Sequence, residues 1–150
     1  MPRAIQTFQV SLKAAIVREG RLLLLREADT GYWELPGGRI DVGEERVPQA
    51  LVLAREIAEE LGSSVRITLD DRAVTWVRRQ PDEGHYQLIV ARLCRFDGGA
   101  IALSDEHAEH RWTTAAEWTA LMFPPQSDYP DGLARLWTLI ARLTADPRVL

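Results

Sequence analysis

Three glutamates in the middle of the chain have the spacing of a metal site on one face of a helix. The segment over residues 37–63 opens with a glycine pair, continues through an acidic loop and then carries Glu56, Glu59 and Glu60. Residues three and four apart are neighbours on a helix surface, so a helix would bring these carboxylates into one small volume. Like charges at those spacings repel, and acidic residues near a helix C-terminus oppose its dipole. Because a bound divalent cation removes both penalties, the pattern predicts a metal site that faces a phosphate chain.

The other side of the same segment is apolar. Its apolar residues recur at helical spacing and are Ala50, Leu53, Ala54, Ile57, Ala58 and Leu61. Pro48 suits a first helical turn, where its missing N–H is not needed, and Gly62 suits a C-terminal stop in the left-handed region. We therefore predict a helix from about Pro48 to Leu61, which docks on a core through one face and carries carboxylates on the other.

This segment resembles the signature box of the Nudix hydrolases. The positions that match it are Gly38, Glu44, Arg55, Glu56, Ile57, Glu59, Glu60 and Gly62. Two features depart from it: ten residues instead of seven separate Glu44 from Arg55, and Ser63 takes the final aliphatic position. We expect the three extra residues to enlarge the loop at 45–47, so that Glu44 still reaches Arg55. The alternative is an added helical turn that carries Glu44 away from Arg55.

The resemblance extends beyond the box, over roughly residues 8–145, and includes the approach from Trp33 to Pro36. It implies an α/β fold, the Nudix-type α/β/α sandwich with a mixed β-sheet. It also implies an enzyme, a pyrophosphohydrolase that uses Mg²⁺, with Mn²⁺ as a possible substitute, to cleave a diphosphate linkage in a nucleoside diphosphate derivative. The substrate would be a nucleoside triphosphate or a nucleotide sugar. The alternative is a Nudix domain that binds or senses a nucleotide without hydrolysing it.

The resemblance assigns the metal ligands within the box. They are the carboxylates of Glu56, Glu59 and Glu60 and the carbonyl oxygen of Gly37, where glycine lets the main chain approach the ion. Arg55 is expected to orient a neighbouring carboxylate rather than to touch substrate.

The general base stays open at this point. In some relatives it is the box residue that corresponds to Glu56, and in others an acidic residue on a later loop, here Glu106 or Glu109. Glu106 is preferred outside the box because it stands six residues before Trp112, where the resemblance to MutT-type members implies a further acidic residue near the metals.

Two residues are candidates for substrate binding. Arg26 either binds phosphate through its forked guanidinium or is a solvated charge at a strand end. Phe123, which precedes two prolines, is expected to close over the base. The MutT-like ending lacks its key asparagine, since Ser127 stands two residues beyond Pro125. A strict specificity for oxidised guanine is therefore not supported.

The histidines at 85, 107 and 110 are discounted as metal ligands. Their flanks suit surface turns, and oxygen-rich acidic sites prefer hard ions to zinc.

Length and composition fit a single Nudix hydrolase domain over residues 1–150. The chain is 46% hydrophobic and has a formal net charge of −4, with its basic residues dispersed, so nucleic-acid polymers are not expected partners. A small nucleotide is the expected partner, and a homodimer is possible. The lone cysteine, Cys94, is expected to be buried. No signal peptide or membrane-length apolar run is visible, so we expect a cytoplasmic protein that does not bind membranes.

Hydrophobic periodicity places strands on both sides of the predicted helix. The predicted strands cover residues 8–16, 21–26, 64–69, 72–79 and 85–94. The predicted turns lie at 19–20, 70–71, 81–84 and 97–99. A short helix is predicted over 115–121, and a C-terminal helix carries the apolar stripe Leu133, Leu136, Trp137, Ile140 and Leu143. This order of elements predicts a mixed sheet between helices.

Overall fold

The computed structural model describes residues 1–80 and 83–146. Its strands are β1 (Gln9–Arg18), β2 (Arg21–Glu27), β3 (Trp33–Glu34), β4 (Gly37–Arg39), β5 (Arg66–Gln80), β6 (His85–Gly98) and β7 (His107–Thr113). Its α-helices are α1 (Gln49–Leu61) and α2 (Tyr129–Thr144), and a 3-10 turn covers Trp118–Ala120.

The strands form one mixed sheet. Its order is β3-β2-β1-β6-β5, with β4 paired to β1 and β7 paired to β2. The central pair β1 and β6 is parallel, and the other pairs are antiparallel. Glu19 and Gly20 join β1 to β2 with positive φ angles of 51° and 74°, which suits the tight hairpin predicted there.

Each face of the sheet carries one helix. Successive strand residues point to opposite sides of the sheet, so the apolar residues of β1 contribute to a core on each face. On β1, Leu12, Ala14 and Ile16 belong to the core under α1, whereas Ala15 and Val17 belong to the core under α2. The predicted α/β/α sandwich with a mixed sheet is confirmed. The apolar stripe of the C-terminal helix is also buried as predicted.

Helix α1 keeps its predicted length but presents a different face to the core. Val52, Leu53, Ile57 and Leu61 are buried, together with Glu60. The alanines of the predicted apolar face, at 50, 54 and 58, are exposed. The prediction that acidic and apolar residues occupy separate faces is therefore wrong at one position, because Glu60 lies within the buried face.

Both ends of α1 differ in detail from the prediction. Pro48 precedes the helix with φ −53° and ψ 132°, and Gly62 follows it with φ 91° and ψ 156°. The positive φ at Gly62 needs glycine, but its ψ is extended rather than left-handed helical.

The turn predicted at 70–71 is wrong, because β5 runs through it. The pairing of β5 with β6 shifts register between Leu69 and Ala73. Asp70 accepts bonds from the Arg72 backbone N–H at 2.8 Å and from its guanidinium at 2.8 and 2.7 Å. Arg92 donates to the Asp70 carbonyl at 2.8 Å. These bonds stabilise the irregular pairing at this point, and β5 continues through it to Gln80.

Other boundaries differ by a few residues. The predicted helix over 115–121 is reduced to the 3-10 turn, and Glu117 accepts a bond from the Thr114 N–H at 2.8 Å. Strand β6 extends beyond position 94 to Gly98, and strand β7 was not predicted. Residues 81 and 82 of the predicted hairpin turn lie outside the described residues. Within the described chain, no helix is both long and apolar enough to cross a bilayer.

Candidate functional site

The glycine pair sets the distance between β4 and its neighbours. Gly37 has a φ of 130°, and a Cβ there would overlap the carbonyl oxygen of Leu12 on β1. A Cβ on Gly38 would lie about 2.5 Å from the Glu56 carboxylate. Only glycine therefore lets β4 pair with β1 while the Glu56 carboxylate packs against the same backbone.

Glu60 is the most buried of the three box glutamates. Its side chain points under β4, where Oε2 accepts the Gly37 N–H at 2.7 Å, and the residue is 5% exposed. Burial raises the pKa of Glu60 to about 7, although nearby Lys13 and the Gly37 bond act in the opposite direction. Burial also raises the pKa of Glu56, against the attraction of Arg55. Both carboxylates are thus held where ionisation is unfavourable without a further positive charge.

Arg55 connects the loop to the helix. Its Nε and Nη2 donate to the two carboxylate oxygens of Glu44 at 2.9 and 3.0 Å. Its Nη2 also lies 3.1 Å from Glu56, and its Nη1 lies 3.3 Å from Glu59. Residues 45–47 lie in the loop before α1. The expectation that the extra residues enlarge this loop while Glu44 reaches Arg55 is confirmed.

A second buried group of charges lies beside Glu60. The Lys13 ammonium donates to the Gly37 carbonyl at 2.8 Å and to Glu34 at 3.4 Å, and His107 Nε2 lies 3.2 Å from the other Glu34 oxygen. Burial alone would raise the pKa of Glu34, but Lys13 and His107 together lower it to about 2. Glu34 is therefore ionised and already neutralised by its partners.

The interpretation of His107 as a surface-turn residue is wrong. It is 6% exposed at the start of β7, and its ring faces the acidic cluster. Burial lowers the pKa of its imidazole, but the bond to Glu34 and the charge of Glu60 raise it further than burial lowers it. Potential ligand atoms of Glu34, Glu60 and His107 all lie within 4.8 Å of one another.

These residues fit a divalent cation. Carboxylate oxygens and a main-chain carbonyl are the donors that Mg²⁺ and Mn²⁺ accept. Glu60 supplies a buried carboxylate that lacks a full counter-charge, and Gly37 supplies a carbonyl whose second lone pair is free of Lys13. Glu34 is a weaker candidate, because Lys13 and His107 already engage its oxygens.

The box glutamates open into a cleft of about 790 Å³. Eight acidic and four basic side chains line it among the described residues. The excess of negative charge would repel a diphosphate unless cations bind with it. The basic residues are Lys13, Arg39, Arg55 and Arg78.

The structure brings most of the predicted residues to this cleft. Its lining includes Gly37, Arg55, Glu56, Glu59, Glu60 and Glu106. Glu106 is exposed, in the turn that leads into β7. Of the two loop carboxylates considered as the base, Glu106 is therefore the one at the cleft.

Arg26, Glu109 and Phe123 lie elsewhere. Arg26 donates to Glu109 at 3.2 Å on the neighbouring strand, and neither lines the cleft in the described part of the chain. Phe123 stacks on the buried Tyr129 ring, with centroids 5.8 Å apart and planes 10° from parallel. Its aromatic face is engaged by the core, so its placement does not support the predicted contact with a base.

Sequence reasoning missed several residues that line the cleft. Lys13 interrupts an otherwise apolar run in β1, and that interruption is a signal that a single sequence does contain. Glu34 was noted only as part of the approach to the glycine pair. Arg78, Gln80 and Gln87 gave no signal, because polar residues near a hairpin end are ordinary surface residues in most strands.

Comparison with known proteins agrees with the resemblance found in the sequence. A family model described as NUDIX domain matches residues 8–131. A MutT-like protein of Streptomyces ambofaciens is 38% identical over 109 residues, covering 72% of this chain. The chain spans slightly less than two thirds of that relative, 65% of its length.

Two further proteins are similar over most of the chain. A putative 8-oxo-dGTP diphosphatase 2 of Mycobacterium tuberculosis is 41% identical over 114 residues, which cover 73% of this chain and 75% of the relative. The solution structure of the E. coli ORF135 protein superposes with a TM-score of 0.71 at 25% identity, covering 94% of this chain and 96% of that protein.

Proposed function

Because the chain belongs to the Nudix family, we propose that it is a Mg²⁺-dependent pyrophosphohydrolase that cleaves a diphosphate linkage in a small nucleotide derivative. The observation that carries the proposal is the position of Glu56, Glu59 and Glu60 along one cleft, beside the Gly37 carbonyl. A bound divalent cation would neutralise the phosphate oxygens and acidify the attacking water.

The residues of this chain have separate roles in the proposed reaction. Glu56, Glu59, Glu60 and the Gly37 carbonyl hold the cation. Arg55 positions Glu56 by its 3.1 Å contact and fixes the preceding loop through Glu44. These contacts support a positioning role, because the guanidinium is shared among four carboxylates, those of Asp41, Glu44, Glu56 and Glu59, before any substrate arrives.

Glu106 is the proposed general base. It lies at the cleft with an exposed carboxylate, so it can accept the proton of the attacking water without first breaking a buried ion pair. Glu56 remains the alternative, because its carboxylate also lines the cleft. Arg78, which lines the cleft, is a better placed phosphate contact than Arg26, which does not.

The proposed substrate is a nucleoside triphosphate or a nucleotide sugar. The relative from Mycobacterium tuberculosis carries the name of a putative 8-oxo-dGTP diphosphatase, which supports a nucleotide substrate here. The Ser127 hydroxyl donates to the Pro124 carbonyl at 2.6 Å within its own loop. It is therefore engaged locally, which supports a specificity broader than oxidised guanine.

The experiment is a screen over nucleoside triphosphates and nucleotide sugars with excess Mg²⁺. The pyrophosphate released from triphosphates is converted to phosphate by a coupling pyrophosphatase, and the monophosphates released from nucleotide sugars by a coupling alkaline phosphatase. We expect turnover that EDTA abolishes and that Mg²⁺ or Mn²⁺ restores. Glu60→Gln should lower kcat by about a hundredfold or more, the upper range for loss of a ligand or its support. Turnover that survives exhaustive chelation would contradict the metal role. Metal-dependent nucleotide binding without turnover would favour the non-hydrolysing alternative.

A further inference from the structure

One face of the sheet changes from apolar to polar where it leaves the cover of α2. On β1, Ala15 and Val17 lie in the core under α2, whereas Ser11 and Lys13 on the same face line the cleft. The same change occurs on β5 from Trp76 to Arg78 and Gln80, and on β6 from Ile89 to Gln87. The boundary crosses three neighbouring strands, so it belongs to the cleft as a whole and not to one strand.

Three neutral side chains in this polar region form a connected row. Ser11 Oγ donates to Gln87 Oε1 at 2.9 Å, and Gln87 Nε2 donates to Gln80 Oε1 at 3.2 Å. Ser11 is 2% exposed and Gln87 is 6% exposed. We call Ser11, Gln80 and Gln87 the amide row. Its bonds hold each side chain in one orientation before a ligand binds, which lowers the entropic cost of recognition.

The chemistry of the amide row suits an uncharged group. Amides and hydroxyls supply paired donors and acceptors, which match base edges and sugar hydroxyls. Phosphate is better held by cations, of which Lys13 lies two residues from Ser11 on β1 and Arg78 lies opposite Gln87 on β5. Arg39 lies opposite Ser11, but its guanidinium is already engaged, since Nη1 donates to Gln9 and to Glu83 at 2.9 Å each. The row thus offers neutral donors and acceptors beside the cations that would hold a diphosphate.

We propose that the amide row binds the nucleoside of the substrate, through the edge of its base or the hydroxyls of its ribose. This inference rests on the proposed function, because it takes the diphosphate to lie against the box glutamates. It deepens that proposal by assigning residues outside the box to the choice of substrate.

The test compares Gln87→Leu and Gln80→Leu with Gln49→Leu, a matched control on the exposed first residue of α1. Each variant is assayed on the best nucleotide found for the wild type, with inorganic tripolyphosphate as a competitive inhibitor that lacks a nucleoside. Mn²⁺ binding is measured by electron paramagnetic resonance. Ribo and deoxyribo forms of the same nucleotide separate contacts to the sugar from contacts to the base.

For Gln87→Leu we expect the KM of the nucleotide to rise about tenfold or more, because the polar group of the nucleoside that Gln87 binds would be buried without a hydrogen-bond partner. We expect kcat to stay within about threefold, while the tripolyphosphate Ki and Mn²⁺ affinity stay within about twofold. Gln80 is half-exposed, so its replacement by leucine should disturb folding less. Gln80→Leu should also raise the nucleotide KM relative to the tripolyphosphate Ki. Gln49→Leu should change none of these quantities.

Two results would overturn the inference. One is an unchanged nucleotide KM in both cleft variants, and the other is an equal loss for nucleotide and tripolyphosphate. Failure of the proposed function gives a different result, namely absence of turnover in the wild type itself. In that event calorimetric binding of the nucleotide and of tripolyphosphate with Mg²⁺, using the same variants, tests the amide row directly.

Discussion

The burial of the Glu60 carboxylate predicts that its charge lowers the stability of the metal-free protein at neutral pH, and replacement by glutamine tests this. Glu60→Gln keeps the shape of the side chain and an oxygen that accepts the Gly37 N–H, while it removes the charge. Glutamine therefore resembles the protonated carboxyl that the fold favours. We expect the variant to be more stable than the wild type in EDTA at pH 8, although it should lose activity.

The magnitude follows from the pKa of Glu60. Burial raises this pKa from its ordinary value of 4.5 to about 7, so the fold holds a proton that the unfolded chain releases. The corresponding stability is fully present below pH 4.5 and is lost as the pH rises through about 7. The loss amounts to about 3 kcal/mol. For a chain of this length, that corresponds to a rise in Tm of roughly 6 to 12 °C in the variant at pH 8.

Two neighbours shape the same pH profile. The pKa of Glu34, lowered to about 2, provides stability that is present above pH 4.5 and is lost as the pH falls towards 2. The raised pKa of His107 acts in the same direction as that of Glu60, because its stabilisation is lost as the pH rises. Metal-free wild type should therefore be most stable near pH 4.5 to 5, and part of the decline above that range should persist in the variant.

The assay is thermal unfolding from pH 4.5 to 8 in EDTA, repeated with excess Mg²⁺. Glu59→Gln is the matched control, since its side chain is 58% exposed and its replacement should change stability by less than about 0.5 kcal/mol. A bound cation stabilises only the folded wild type, so Mg²⁺ should shrink or reverse the advantage of the variant. The reasoning fails if Glu60→Gln is no more stable than wild type at pH 8 in EDTA, or if the difference is the same at pH 5 and pH 8.

Three further predictions concern the surroundings of the site. Lys13→Met should cost about 3 to 5 kcal/mol in urea unfolding because it leaves the buried Glu34 charge without its main partner, and a cost below about 1 kcal/mol would contradict that pairing. Deleting residues 45–47 should leave kcat within about threefold of the wild type, because none of these residues lines the cleft; a loss above about tenfold in kcat would show that the enlarged loop takes part in catalysis. Glu106→Gln should lower kcat with little change in Mn²⁺ affinity while Glu109→Gln does much less, and the reverse order would move the proposed base to Glu109.

The elements with strong periodicity or a box motif were predictable from the sequence. The bounds of α1 and the buried stripe of α2 follow from apolar residues at helical spacing. The bulge at Asp70 was not predictable in this way, because consecutive aspartates also form turns, and only the bonds from Arg72 and Arg92 decide between the two.

The buried face of α1 shows why the site was only partly predictable. Spacing groups Glu56, Glu59 and Glu60 on one side of a helix but does not say which of them points into the protein. The structure buries Glu60 because β4 covers it, and it leaves Glu59 exposed beside Arg55. Likewise, no local pattern reveals that His107 meets Glu34, since 73 residues separate them in sequence.

The two buried carboxylates differ in charge because their neighbours divide the positive charge unequally. Glu34 has Lys13 at 3.4 Å and His107 at 3.2 Å, and its pKa falls to about 2 in spite of burial. Glu60 lies farther from Lys13 than Glu34 does and accepts its hydrogen bond from a neutral N–H, and its pKa rises to about 7. Glu60 is therefore the buried carboxylate that lacks a positively charged partner, whereas Glu34 has two. A divalent cation that enters the cleft would find its strongest electrostatic gain there, next to the carbonyl that Lys13 holds in place.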